Sequence, residues 1–161
     1  MTTVAKEKTG QSLISEKLFD RLVNRIQLEQ DMDHELASRI TDQALAFLGT
    51  CAVSTVPLSP SAQVDIGWHT FLMYTREYRE FCTKMAGRFI DHEPQDVEED
   101  RSHARAATVT DRAVTAILEA GFAVDRELWE VRAAKCNDGE KCRASGKDGN
   151  ENTETNDPEK R

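Results

Sequence analysis

Asp65 and His69 stand four residues apart in the stretch VDIGWHTFLMYTREYREFCTKMAGRFIDHEP, residues 64 to 94. On a helix that spacing stacks two side chains on one face. A carboxylate and an imidazole so placed could share a metal ion or act as an acid–base pair. His92, just beyond the helical pattern, could fold back and complete a three-ligand set. Two histidines and one carboxylate suit iron or zinc. Gly87 breaks the helix, and Phe89 and Ile90 are apolar enough to turn the exit back against the body, so His92 is expected near His69. The plainer reading needs no metal: Asp65 orients His69, and His69 bonds a loop carbonyl at the edge of the core. Arg76 continues the same edge. The plainer reading comes first, the metal reading second and direct catalysis last. No residue is assigned a catalytic role.

Other reactive side chains offer less. Cys136 and Cys142 form a C-x5-C pair in a polar tail, wider than the usual C-x2-4-C of zinc sites and without nearby histidines. An exposed thiol pair is the simpler expectation. Cys82 lies in the middle of an apolar stripe and reads as a small core group, as does Cys51. A Cys82–His69 nucleophile pair is weak, because the two faces differ by more than a quarter turn. Trp68, Phe71, Tyr78 and Phe81 recur on one face and read as core. A buried Tyr78 needs a partner for its hydroxyl. His34 and His103 have no constellation around them. The phosphate-binding, dinucleotide-binding, serine-hydrolase and zinc-protease motifs are all absent from the chain.

The elements that must position these residues are helices. Ile14, Leu18, Leu22 and Ile26 fall at steps of four and predict a first helix over 13–30. Asp31 or Asp33 caps a second, with an apolar stripe of Leu36, Ala37, Ile40, Ala44, Phe47, Leu48 and Cys51. The short joint predicts an antiparallel hairpin of helices. Pro57 and Pro60 enforce a stop. Ser59 or Ser61 then caps one long helix over 62–86, with Val64, Trp68, Phe71, Thr75, Tyr78, Cys82 and Met85 inward and Gly87 at its end. An acidic loop follows, with five acids among the nine residues 93–101. Thr108 and Asp111 predict the start of a fourth helix, closed by Gly121 and Phe122. Asp125 caps a last short helix carrying Leu128, Trp129 and Val131. Strand patterns are nearly absent, though residues 52–56 could be briefly extended. The fold class expected is all-α: three main helices and one or two shorter ones around a single core.

The domain plan is a flexible N-terminus over 1–12, a helical domain over 13–134 and a disordered polar tail over 135–161. From Cys136 onward the chain has no Val, Ile, Leu, Met or aromatic residue, too little to offset its ordering entropy. The chain has 161 residues and a formal charge of -8, with 29 acids against 21 bases. Without a basic stretch it is not expected to bind nucleic acid or an anionic membrane surface. The apolar runs are too short to span a bilayer, and the N-terminus lacks a secretory h-region. The expected location is cytoplasmic, with reduced cysteines.

Asp65, Trp68, His69, Tyr78, Phe81, Cys82, Gly87, Phe89, Ile90, His92 and Pro94 follow in order the pattern D-x-x-W-H, Y-x-x-F-C and G-x-F-I-x-H-x-P. In these residues the chain resembles the glycine-rich-domain-containing protein-like family. It looks like the short, free-standing actinobacterial members. The resemblance is strong over residues 64–94 and weaker over 13–129. Asp91 stands where many relatives have a second histidine. This chain has eight glycines and no glycine-rich segment. The resemblance implies a helical domain without an assigned chemistry. The leading expectation is a non-enzymatic module that binds a protein partner or ligand through the surface around 62–86. The alternative is a metal-binding protein or metalloenzyme using Asp65, His69 and His92.

Overall fold

Asp33 sets the centre of the molecule. Its carboxylate accepts the Leu36 N–H at 2.8 Å and starts α2, His34–Val53, in the computed structural model, which describes residues 5–93 and 103–130. Positions all round α2 are buried, from Ala37 and Ile40 to Gln43, Leu45, Phe47 and Thr50. A helix covered on most faces must lie inside the fold. Helix α1, Glu16–Gln30, packs against it, as do α3, Ala62–Met73, α4, Thr75–Ala86, and α5, His103–Glu119. A short α6, Arg126–Trp129, docks on α3. The described residues are therefore all-α, with one isolated bridge between Lys8 and Phe122. No helix among them is long and apolar enough to cross a membrane.

Most ends follow capping chemistry. Ser15, not Leu13, opens α1 by accepting the Leu18 N–H. Gly10–Leu13 is a separate 3-10 turn. The buried stripe of α1 is Phe19, Leu22, Val23 and Ile26, one step round from the spacing of four read in the sequence. Asp31 closes α1 in the left-handed region, and Asp33 opens α2, so both candidate caps have a use. At the end of α5 the Phe122 N–H bonds Ile117 O and the Gly121 N–H bonds Leu118 O, with Gly121 at φ 88°. This is the expected Schellman close. Helix α5 starts at His103, five residues before Thr108. The alanine-rich run 104–107 favours helix strongly enough to extend it past that capping pattern.

The single helix expected over 62–86 is broken. Tyr74, at φ -93° and ψ 66°, leaves the helical basin, and its N–H turns to Phe71 O. Thr75, read as inward, is exposed at the start of α4. Packing explains the break. Seven residues of straight helix separate two side chains by about 10 Å along the axis. The Phe71 and Tyr78 rings instead meet edge to face at 5.2 Å, and Phe71 meets Phe81 at 5.3 Å. The bend exchanges one turn of regular helix for an aromatic cluster in the core.

The N-terminal segment, without periodicity in the sequence, is held from Lys8 onward. Lys8 exchanges backbone hydrogen bonds with Gly121 O and the Ala123 N–H, each 2.9 Å. Gly10 is buried so close to α2 that a Cβ there would lie 1.9 Å from Asp42 O. At the other end, Gln43 Oε1 accepts from the Asp125 N–H and from Trp129 Nε1. Arg39 grips Asp125 with two nitrogens and Glu127 with one. These polar contacts fix 121–129 against α2. The Asp125 side chain goes to Arg39 and does not cap α6. The acidic loop beyond Glu93, Val131, Cys136, Cys142 and the polar tail fall outside the described residues.

Candidate metal centre

Ser61 fixes the start of α3. Its hydroxyl accepts the Val64 N–H at 3.2 Å and donates to Leu128 O at 2.6 Å, so the same side chain ties α3 to α6. Asp65 sits in the first turn, where a negative charge is favoured by the helix dipole. His69 follows one turn later. Gly67 lies between them on the buried side. There α3 crosses α2 so closely that a Cβ would lie 2.6 Å from the Ala44 Cβ.

His92 arrives from the other end of the motif. Gly87, at φ 67°, ends α4, and its N–H bonds Thr83 O. The chain then runs back with Ile90 buried. The Tyr78 hydroxyl donates to Ile90 O at 2.6 Å and accepts from Trp68 Nε1 at 3.0 Å. Burial raises the Tyr78 pKa, which keeps the hydroxyl protonated as that donor. Two residues on, the His92 ring packs on the Trp68 indole, centroids 4.3 Å apart. The sequence shows that Tyr78 needs a partner. That it holds the segment carrying His92 depends on the break at Tyr74. Tyr78→Phe should lose about 1.5 kcal/mol of stability, because the indole N–H is left buried without an acceptor. Urea melts measure the loss. An NMR shift of the His92 ring protons away from the Trp68 ring current reports the loosened segment, and an unmoved His92 signal would count against this role.

The three expected residues converge. His92 Nε2 lies 2.9 Å from Asp65 Oδ1 and 2.9 Å from His69 Nε2. His69 Nε2 lies 3.2 Å from Asp65 Oδ2. Among the described residues His69 thus meets Asp65, as the plainer reading also has it, and His92, with no loop carbonyl bonded to it. One donor atom from each residue lies within 4.8 Å of the others. The His69 side chain is 60% exposed, Asp65 32% and His92 16%, so the cluster opens to solvent on its His69 side.

These contacts cannot all be satisfied by ring protons. A neutral imidazole nitrogen carries either one N–H or one lone pair. If His92 Nε2 carries the proton, it can aim it at Asp65 or at His69, not at both. If it carries the lone pair, it can accept from His69 but then faces the Asp65 carboxylate. If both Nε2 atoms donate to the two Asp65 oxygens, two N–H groups meet at 2.9 Å. With the carboxylate ionised, each case leaves one close contact repulsive. A cation held by the two ring nitrogens and the carboxylate would relieve that repulsion.

Among the described residues, Cys51 and Cys82 are not part of this cluster. Cys82 is fully buried in the core. Burial pushes the Cys51 thiol up to about 12, against the opposing pull of Arg88, so it stays protonated and unreactive near neutrality. His34 approaches Ser38 on its own helix.

The family model described as UCP032817-like matches residues 10–113, which include the 3-10 turn, α1 to α4 and all three site residues. The chain belongs to the UCP032817-like family. That family is uncharacterised. No curated protein matches the chain. No solved structure matches it. In this UCP032817-like chain the match starts at Gly10, the residue that seats the N-terminal segment on α2.

Proposed function

We propose that the protein is a small helical module that binds one divalent transition-metal ion, iron or zinc, through Asp65, His69 and His92. The observation that supports this reading is the close approach of two imidazole nitrogens to each other and to the two oxygens of one carboxylate, which no placement of ring protons satisfies while Asp65 is ionised. Neutral imidazole and carboxylate are the ligand types such ions take. The residues behind the resemblance to the glycine-rich-domain-containing protein-like family include all three ligands, together with Trp68 and Tyr78, which hold His92 in place.

Elemental analysis of protein purified without added metal tests the proposal. Near one ion per chain is expected, and it should be absent from His69→Ala and from His92→Ala. Losing both histidines should remove no more ion than losing one, because one missing ligand already opens the site. Wild-type protein that stays metal-free after equilibration with iron(II) and with zinc ends the metal reading.

A second reading, a cytoplasmic module that docks a protein partner through the surface around 62–86, is favoured by Met73 and Phe89. Both are large apolar side chains left exposed, one a turn beyond His69 and the other three residues before His92. Metal-free protein whose partner binding fails when Met73 and Phe89 become serine would favour that reading.

A further inference from the structure

Between α1 and α4 runs an open groove of about 370 Å3. That size falls within the range of small-molecule sites, about 300–1,000 Å3. None of Asp65, His69 and His92 lines it. Its apolar lining is Leu13, Ile14, Leu18 and Phe81. Phe81 is buried, but the other three are only half-buried, so the groove leaves apolar surface open to a ligand.

Charge narrows the choice of ligand. Three basic side chains, Lys17, Arg21 and Lys84, and two acidic ones, Glu77 and Glu80, line the groove. Arg21 and Glu77 pair at 3.2 Å and join α1 to α4. Among the described residues Lys17, Glu80 and Lys84 form no ion pair. The lining thus has one positive charge in excess, in a chain whose formal charge is -8. One carboxylate balances it. Lysine stems lie along apolar surface while their ammonium groups stay in water. Lys17 on α1 and Lys84 on α4 can flank an apolar chain and meet an acid group at the rim.

We propose that this groove binds a medium-chain fatty acid, its acyl chain on Leu13, Ile14, Leu18 and Phe81 and its carboxylate held by Lys17 and Lys84. Glu80 opposes the carboxylate and weakens the complex. The proposal stands apart from the metal reading and shares no residue with it.

Decanoate, kept below its micelle concentration, is the probe, and methyl NMR of the full chain is the readout. The Leu13, Ile14 and Leu18 methyl signals should shift saturably. Affinity should rise about two- to fourfold per added methylene from octanoate to decanoate, as partial or full burial of each group gives. Decanol, without the charge, should bind about tenfold more weakly, two exposed charge contacts being lost. Lys17→Glu with Lys84→Glu should abolish that preference and leave decanol binding as it was. Both positions are exposed, so the fold should survive, and circular dichroism checks it. Glu80→Gln should tighten decanoate binding by roughly two- to fivefold. Leu18→Gln should weaken decanoate and decanol alike. Shifts that never saturate, shifts that spare these methyls, or an unchanged decanoate affinity in the lysine variant overturn the proposal. So does self-association of the protein that the same variants block, which makes a second copy the occupant.

Discussion

Trp68→Ala should destabilise the domain by about 3–5 kcal/mol, the usual loss when a large buried aromatic becomes alanine. The indole is 5% exposed and lies at the meeting point of three parts of the fold. It contacts the Phe47 ring of α2 at 5.5 Å and the His92 ring at 4.3 Å, and its N–H donates to Tyr78. Truncation leaves a cavity between α2 and α3 and takes away the surface on which His92 rests. Urea unfolding measures the first effect. On the proposed metal reading, the second appears as reduced ion binding under conditions where the variant is still folded. Trp68→Phe keeps most of the packing but not the N–H, so it should fall between wild type and alanine in stability. A Trp68→Ala midpoint within error of wild type would mean that the indole does not occupy the core.

Gly67→Val should cost about 3 kcal/mol, at the upper end of what overpacking normally costs. A Cβ at this position lies 2.6 Å from the Ala44 Cβ and 3.0 Å from Ile40 O. Both belong to the central helix, so neither can swing aside as the end of a long side chain can. Helix propensity favours the change from glycine to alanine by about 1 kcal/mol, which opposes the clash but does not exceed it. Gly67→Ala should therefore show a smaller loss than valine. Adding Ala44→Gly to Gly67→Ala should recover part of that loss, because it removes the nearer obstacle and leaves the Ile40 carbonyl. Thermal melts of the four-member cycle give the coupling between the two positions. Strict additivity, or a Gly67→Ala variant more stable than wild type, would show that α3 can lift from α2 without cost.

The helices were legible where local chemistry decides them. Asp33, Ser61 and Gly87 act where their side chains or missing Cβ fit a helix end, and Gly121 with Phe122 closes α5 in the pattern read from spacing. The break at Tyr74 was not legible as a break, because its cause is the packing of Phe71, Tyr78 and Phe81 on one another. The one local sign is Thr75, a polar residue in an otherwise apolar stripe. Gly10 and Lys8 escaped for a related reason: their partners, Asp42 and Gly121, are distant in sequence, and backbone bonding leaves no apolar pattern. For the site, the Asp65–His69 pair follows from helical spacing alone. The return of His92 was inferred from Gly87, Phe89 and Ile90, yet its anchor is the Tyr78 hydroxyl on the Ile90 carbonyl. Which of a tyrosine's neighbours takes its proton is a tertiary fact.

The two reversals between Asp65 and His92 also set an order in time. Asp65 and His69 become neighbours as soon as one turn of α3 forms, a fast local event. His92 meets Asp65 across 27 residues, and only once the chain has bent at Tyr74 and left the helix at Gly87. Closing such a loop costs entropy that local pairing does not. A chain caught midway through folding thus brings together two of the three residues, never all three. The completed cluster marks a molecule in which the aromatic core has already closed beneath it, so on the proposed metal reading occupancy would follow folding and not lead it.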